Sequence, residues 1–354
     1  MNLKLLPQKQ DYELLVIKYR EIERIALEKL DEEFARSSLQ IMQIPHRIKT
    51  WESIEEKWSR KPDKYLRIEN LTDLLGFQII CFFASQVDEA GEIVGRVFDV
   101  DREQSCDKRS MISPTSFGYL SLHIICSLKN DGTVPEELAG LKFEIQLRTI
   151  LQHAWAELEH DLGYKNPFEI PGDLRREFSR IAGLLEIADE AFDNIKKKLT
   201  AYEHEVVERL RSDTADEMTL DIHTINAFVK YSPVVEKLCS DMAEITGGSI
   251  LAVGVEPYLE TLHVLHIETL GDLYALVSEE RGHALLLLQR ALRYSDLEEI
   301  TTGSAFYYLI RARLIWGDYS EKELRAIVAQ MSPDREKADR YTERILSDRE
   351  ELGL

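Results

Sequence analysis

An α/β domain built on a mixed sheet, followed by an all-α region, is the fold class this sequence predicts, and three observations carry it. Short β-branched and aromatic runs at 77–83, 120–128 and 141–147 alternate with helix-period segments at 51–61, 86–98 and 149–163, the pattern of strands interleaved with helices. Beyond Gly163 and the turn around Pro167 and Pro171, no strand pattern appears and apolar residues recur at helical spacing. The 354 residues, 44% apolar and 31% charged, suit two or three globular domains and neither a disordered nor a fibrous chain.

Each element follows in order. From Asp11 to Phe34 the apolar positions Leu15, Tyr19, Ile22, Ala26 and Leu30 form one helical stripe. The segment 44–61 leads from an extended stretch into a helix with Thr50 as its N-cap. Side chains alternate across a strand, so in 141–149 Phe143, Ile145 and Leu147 face one side while Glu144, Gln146 and Arg148 face the other. By the same alternation, Tyr119, Ser121 and His123 oppose Leu120, Leu122 and Ile124. Side by side, these strands form the floor of a polar cleft; singly, each pattern is equally that of a half-solvated strand. Asp173 is placed to cap a long helix whose positions Leu174, Phe178, Ile181, Leu185, Ala188, Phe192, Ile195, Leu199, Tyr202 and Val206 repeat in fours and threes. Such a seam needs a partner, either its own domain or a second copy. Gly247–Gly248, Thr301–Thr302–Gly303 and Ser332–Pro333 then punctuate about six further helices. The expected division is 1–165, a connecting helix over 166–212, and an all-helical domain over 213–354.

The net charge of −20 argues against gripping nucleic acid by bulk electrostatics. The excess is uneven: residues 1–165 carry 28 acidic and 22 basic side chains, and residues 166–354 carry 36 and 22. The start MNLKLLPQKQDYELL has no signal-peptide core, and the longest aliphatic run, 284–288, is far too short to span a bilayer, so a cytoplasmic protein without membrane contact is expected. Cys81, Cys106, Cys126 and Cys239 show no metal-ligand spacing and read as buried thiols.

Two clusters carry chemistry. Arg47 and Lys49 flank the start of the helix at 51–61, and Ser53, Lys57 and Arg60 or Lys61 share one of its faces. Cations round a helix N-terminus suit a polyphosphate, although Glu52, Glu55 and Glu56 make a solvated charged face the competing reading. Asp73 lies just before the strand at 77–83, where a carboxylate is placed to hold Mg2+ or, more simply, to cap a turn. Glu144 as a second carboxylate would complete the equipment of a metal-assisted phosphoryl- or nucleotidyl-transfer enzyme.

The stretches HRIKTWESIEEKWSRK, NLTDLLGF, FGYLSLH and FEIQLRTILQHAWAELEHDLGYK, in this order over about residues 40–165, resemble the synthetase domain of RelA/SpoT-type (p)ppGpp synthetases. The resemblance implies a nucleotidyltransferase-like mixed sheet flanked by helices and a GTP pyrophosphokinase reaction. In it the 3'-hydroxyl of GDP or GTP attacks the β-phosphorus of ATP, and AMP leaves. It further implies that Asp73 and Glu144 are catalytic and bind Mg2+, with Glu144 also acting as base on the attacking hydroxyl. Arg47 would stack on adenine, and Lys49, Ser53, Lys57 and Arg60 would hold the ATP phosphates. Tyr119 would stack on the acceptor guanine, His123 would lie near the acceptor phosphates, and Gln146 and Arg148 would line the cleft.

The chain also departs from that family. Gln78 stands where an arginine usually stacks on the second face of adenine. Loss of such a cation–π contact, about 0.5–2 kcal/mol, weakens affinity roughly two- to thirtyfold. Thr115-Ser116-Phe117-Gly118-Tyr119 replaces the common Lys-x-Asn-Gly-Tyr, which removes two polar acceptor contacts. The acceptor therefore stays open among GDP, GTP, GMP, an adenine nucleotide and the 3' end of tRNA, and a nucleotide-binding regulator with a decayed site is the reading from another class. His153, Glu157 and His160 sit at helical spacing but are expected to support the cleft and not to bind zinc. His160–Asp161 alone makes no HD-type hydrolase, so the expected protein makes its product without destroying it. A homo-oligomer through 174–206 is a further expectation.

Overall fold

The computed structural model describes residues 9–60, 68, 71–111, 121–162, 172–293, 299–332 and 334–354. The chain divides into two compact units, Met1–Lys197 and Lys198–Leu354.

In the first unit, helix α1 (Lys9–Arg36) buries Leu15, Tyr19, Ile22, Ala26, Leu30 and Phe34, the stripe read from the sequence. Two three-residue strands, β1 (Ile41–Gln43) and β2 (His46–Ile48), precede helix α2 (Trp51–Arg60). Thr50 caps α2, its Oγ1 accepting from the Ser53 amide at 3.4 Å. Then come β3 (Leu75–Cys81), α3 (Ala84–Val97), β4 (Phe98–Asp107), β5 (Leu122–Leu128), β6 (Phe143–Thr149) and α4 (Ile150–Asp161). The sheet runs β1-β3-β6-β5-β4, with β2 also pairing β3. Only β3 and β6 are parallel, so the sheet is mixed as expected. Phe77, Ile79, Phe143, Ile145 and Leu147 are fully buried in one core with the α1 and α3 stripes. Phe143 packs edge-on against Phe77 and Phe98, at 5.6 and 5.2 Å between ring centres. The opposite face of β3, β5 and β6 carries Gln78, His123, Glu144, Gln146 and Arg148 beside the buried Ile80 and Ile125.

Helix α5 (Gly172–Arg211) spans 40 residues and belongs to the first unit up to Lys197. Its docking face there combines the seam residue Phe178, whose ring meets Trp155 edge-on at 5.2 Å between centres, with positions that the heptad pattern does not mark. Ala182, Asp189 and Asp193 are buried; the Asp189 carboxylate accepts from the Thr149 hydroxyl at 2.6 Å, and Asp193 from the Ser85 amide at 2.9 Å, at the start of α3. The seam residues Leu174, Ile181, Phe192 and Ile195 are 48–53% exposed.

The second unit takes up the end of α5 and adds α6 (Ile222–Tyr231), α7 (Pro233–Thr246), β7 (Ser249–Leu251), α8 (Leu259–Val264), α9 (Leu270–Ala291), β8 (Glu299–Thr301), α10 (Thr302–Trp316), α11 (Glu321–Met331) and α12 (Arg335–Leu352). Its helices begin at side-chain caps: Asp221 for α6, Thr269 for α9, Ser320 for α11 and Asp334 for α12. Gly247, with φ 67°, closes α7 in the left-handed conformation that a side chain disfavours. The region is helical, as expected, except for the short parallel pair β7–β8. Cysteine usage differs at one position: Cys81, Cys126 and Cys239 are buried, but Cys106 on the edge strand β4 is only half-buried. Among the described residues, no helix is long and apolar enough to cross a membrane.

Candidate active site

Register brings the polar residues of four strands onto one face. Arg47 on β2 lies opposite Gly76 on β3, and Gly76 opposite Glu144 on β6. One step along, Gln78 lies opposite Gln146, and Gln146 opposite His123 on β5. Among the described residues, no heavy atom lies within 4 Å of where a Cβ on Gly76 would be, so these residues leave the floor between Arg47 and Glu144 open.

Side-chain hydrogen bonds link this face into a chain. The Ser121 hydroxyl meets His123 Nε2 at 2.8 Å, and His123 Nδ1 meets Glu144 Oε1 at 2.7 Å. Gln146 Nε2 donates to the other Glu144 oxygen at 2.8 Å, and Arg148 donates to the Gln146 carbonyl oxygen. Both Glu144 oxygens are thus held, and its side chain is 17% exposed. Burial alone would push the Glu144 carboxyl upward, but the hydrogen bonds from His123 and Gln146 outweigh it and hold the group below its ordinary value. Burial likewise lowers the Arg148 guanidinium, as does the Arg47 charge; Glu157 and Glu144 act the other way.

The second carboxylate sits between two cations. Asp73 is 16% exposed; Lys57 Nζ lies 2.5 Å from its Oδ2, and Lys49 reaches the same oxygen. Burial raises the Asp73 carboxyl, but the two ammonium groups prevail and keep it below the usual carboxylate range. Its Oδ1 is buried without a hydrogen-bond partner among the described residues. The Asp73 charge also acts on Glu144, so the two carboxylates share one electrostatic field. Lys49 is fixed through its backbone: its amide donates to Leu74 O at 2.8 Å, and its carbonyl accepts from the Tyr12 hydroxyl at 3.0 Å.

Of the residues marked in the sequence, the structure therefore gathers Asp73, Lys49 and Lys57 into one cluster and His123, Glu144, Gln146 and Arg148 into another, with Arg47 exposed at the rim. Ser53 lies exposed on the first turn of α2. The Arg60 side chain and all of Tyr119, with the segment 112–120, lie outside the described residues. Lys49 and Lys57 meet Asp73, and His123 meets Glu144 and Ser121. Pattern reading overlooks Gly76 and Tyr12, which no local spacing marks. His153 lies 4.0 Å from Glu157, while the His160 side chain is outside the described residues; among the described residues no three His, Cys, Asp or Glu are disposed to hold a metal.

The profile described as "Region found in RelA / SpoT proteins" matches residues 46–169, which contain every residue of both clusters. GTP pyrophosphokinase YwaC of Bacillus subtilis (strain 168) is 31% identical over 200 residues, 53% of this chain and 90% of that protein. The chain belongs to the RelA/SpoT synthetase family. GTP pyrophosphokinase YjbM of the same organism is 29% identical over 193 residues, 54% of this chain and 86% of that protein. The crystal structure of small alarmone synthetase 2 from Bacillus subtilis aligns with 54% of this chain and all of its own, at 30% identity and a TM-score of 0.43. The RelA/SpoT match ends before α5, so all of this family member's second unit lies outside it.

Proposed function

We propose that the chain is an ATP-dependent pyrophosphokinase that moves the β,γ-diphosphate of ATP onto the 3'-hydroxyl of GDP or GTP, releasing AMP and a (p)ppGpp-type alarmone, in the cytoplasm. The observation that carries this reading is the pair of ionised, part-buried carboxylates, Asp73 in the turn before β3 and Glu144 on the polar face of β6, the latter held on both oxygens by neighbouring side chains. In this reaction the acceptor oxygen forms a bond to the β-phosphorus while the bond from that phosphorus to the oxygen bridging to the α-phosphorus breaks. AMP keeps the bridging oxygen. Glu144 takes the proton of the attacking hydroxyl, its lowered pKa keeping it in the basic form.

Arg47, Lys49, Ser53, Lys57 and Arg60 hold ATP in this reading, Arg47 against the adenine and the others along the phosphates. Tyr119 stacks on the acceptor base, His123 stands close to the acceptor phosphates, and Gln146 and Arg148 keep Glu144 in place. Mg2+ fits the donor set: Asp73 and Glu144 are hard oxygen ligands on a shared field, and Asp73 Oδ1 is a buried acceptor in need of a partner. When bound it would neutralise charge on the transferring phosphates. The exposed seam residues Leu174, Ile181, Phe192 and Ile195 support a homo-oligomer through 174–206.

The test is to incubate purified protein with ATP, Mg2+ and, separately, GDP, GTP, GMP, ATP alone or deacylated tRNA, and to separate the products by chromatography. AMP with a guanosine 3'-diphosphate product supports the reading. Transfer only to tRNA or to an adenine nucleotide, the outcome that the altered segment 115–118 would favour, replaces the acceptor; no AMP with any acceptor points to a decayed site.

A further inference from the structure

The order of the Ser121, His123 and Glu144 contacts assigns a role to a residue outside both clusters. We infer that Ser121 is a positioning residue for pyrophosphoryl transfer: its hydroxyl locks the His123 imidazole in the tautomer whose Nδ1–H holds Glu144. The assignment rests on the pyrophosphokinase reading above for the identity of the step.

An ionised carboxylate can only accept, so at 2.7 Å from Glu144 Oε1 the His123 Nδ1 must carry the proton. When the ring is neutral its one lone pair lies on Nε2, and the Ser121 Oγ lies 2.8 Å from that nitrogen. A hydroxyl rotates to donate there. The ring is thus fastened at both nitrogens, and neither the flipped ring nor the other tautomer can satisfy both contacts. On the far side of Glu144 the same logic fixes Gln146. Arg148 donates to the Gln146 oxygen, so the Gln146 nitrogen must point at Glu144 Oε2. The carboxylate is therefore clamped from two sides by groups whose own orientation is set one residue further out.

Removing the Ser121 hydroxyl frees one end of this clamp. His123 can then turn its protonated nitrogen away, and Glu144 loses the contact that aims it at the acceptor. Because a misplacement of about 1 Å in a reacting group can cost on the order of a hundredfold, the expected loss is in turnover and not in nucleotide binding. Ser121 immediately precedes β5 and is half-buried, with His123 buried behind it, so the alanine variant removes little packing.

Two measurements on Ser121→Ala, Ser121→Thr and the parent test the inference. The first is 15N NMR of the full ligand-free chain, with the His123 signals assigned through His123→Asn. The parent should show a protonated Nδ1 and an unprotonated Nε2, Ser121→Ala a mixture of tautomers, and Ser121→Thr the parent pattern. The second is steady-state AMP release: Ser121→Ala should lose roughly ten- to a hundredfold in kcat with KM for ATP and acceptor within about twofold, and Ser121→Thr should restore most of it. A single unchanged tautomer in Ser121→Ala, a rise in acceptor KM with kcat intact, or a threonine variant as slow as alanine overturns the inference. Should the parent release no AMP with any acceptor, the pyrophosphokinase reading falls by itself, while the nitrogen spectra still decide whether Ser121 sets the His123 tautomer.

Discussion

Lys57 holds its ammonium nitrogen 2.5 Å from the Oδ2 of Asp73, inside a site where that carboxylate is only 16% exposed. Lys49 joins it on the same oxygen. A divalent cation bound at the unpartnered Oδ1 of Asp73 without a nucleotide would lie beside two ammonium groups and be repelled by both. A polyphosphate arriving with the metal gives the lysines another partner.

Metal and nucleotide should therefore bind cooperatively. Electron paramagnetic resonance of free Mn2+ is expected to show at least about fivefold tighter binding when a non-hydrolysable ATP analogue is present, within the usual range of coupling between sites. Replacing both lysines by methionine should raise nucleotide-independent Mn2+ affinity, and Asp73→Asn in that background should remove it. Equal Mn2+ affinity with and without the analogue would refute the exchange.

Gln78 shares the polar face with Gln146 and sits one step from the row of Arg47. Gln78→Arg adds a cation where the adenine is proposed to lie. The KM for ATP, or the Kd for the analogue by calorimetry, should fall roughly two- to thirtyfold, as a cation–π contact implies. An unchanged or higher value would remove adenine from that position.

Stability of the second unit should carry a pH signature from Tyr202 and Asp221. The Tyr202 hydroxyl donates to Asp221 Oδ2 at 2.8 Å. Burial first, then the Asp221 bond and charge, push the Tyr202 phenol up to about 12. A raised folded pKa means that this contribution is complete below the ordinary tyrosine value near 10 and disappears as the pH climbs from there through about 12. For Asp221, burial opposes ionisation, but the cap bonds and Tyr202 hold the carboxyl below its ordinary value. Its contribution is accordingly present above the ordinary carboxylate pKa and lost as the pH falls through the depressed one. Tyr202→Phe should cost about 1 kcal/mol in denaturant unfolding at neutral pH, a hydrogen bond to a charge discounted for partial exposure, and should flatten the alkaline limb.

The seam on α5 yields a prediction about mass. Ile181 and Ile195 are 48% and 53% exposed, so Ile181→Asp with Ile195→Asp should leave the fold intact and abolish self-association. Light scattering is expected to give a multiple of 40.9 kDa for the parent and 40.9 kDa for the double variant. A parent already at the mass of one chain would exclude the oligomer.

These residues also show where sequence reading succeeds and where it stops. Strands β3, β5 and β6 are legible because their inner positions are apolar except for Thr149 at the end of β6, and alternation then assigns Glu144, Gln146 and His123 to the polar side. Strand β4, FDVDREQSCD, escapes because an edge strand with one solvated face and an irregular register between Asp101 and Cys106 shows no apolar alternation. The three-residue strands β7 and β8 are too short to carry a period. The docking face of α5 is legible only in part: Phe178 belongs to the heptad pattern, but the same face buries Asp189 and Asp193, whose partners Thr149 and Ser85 lie far away in sequence. The Lys57–Asp73 and His123–Glu144 pairs are 16 and 21 residues apart and become visible only once the strands are in register.

The central claim is that Glu144 accepts the proton of the attacking hydroxyl, and AMP release by Glu144→Gln tests it most directly. Glutamine keeps the size of the side chain and its one carbonyl oxygen can still accept from His123, at the loss of the Gln146 contact, but it cannot take a proton. With ATP, Mg2+ and whichever acceptor serves the parent, kcat should drop by about a hundredfold or more, the scale of general-base catalysis, while binding of the ATP analogue stays within a few-fold. Glu144→Gln turning over at the parent rate would contradict the account.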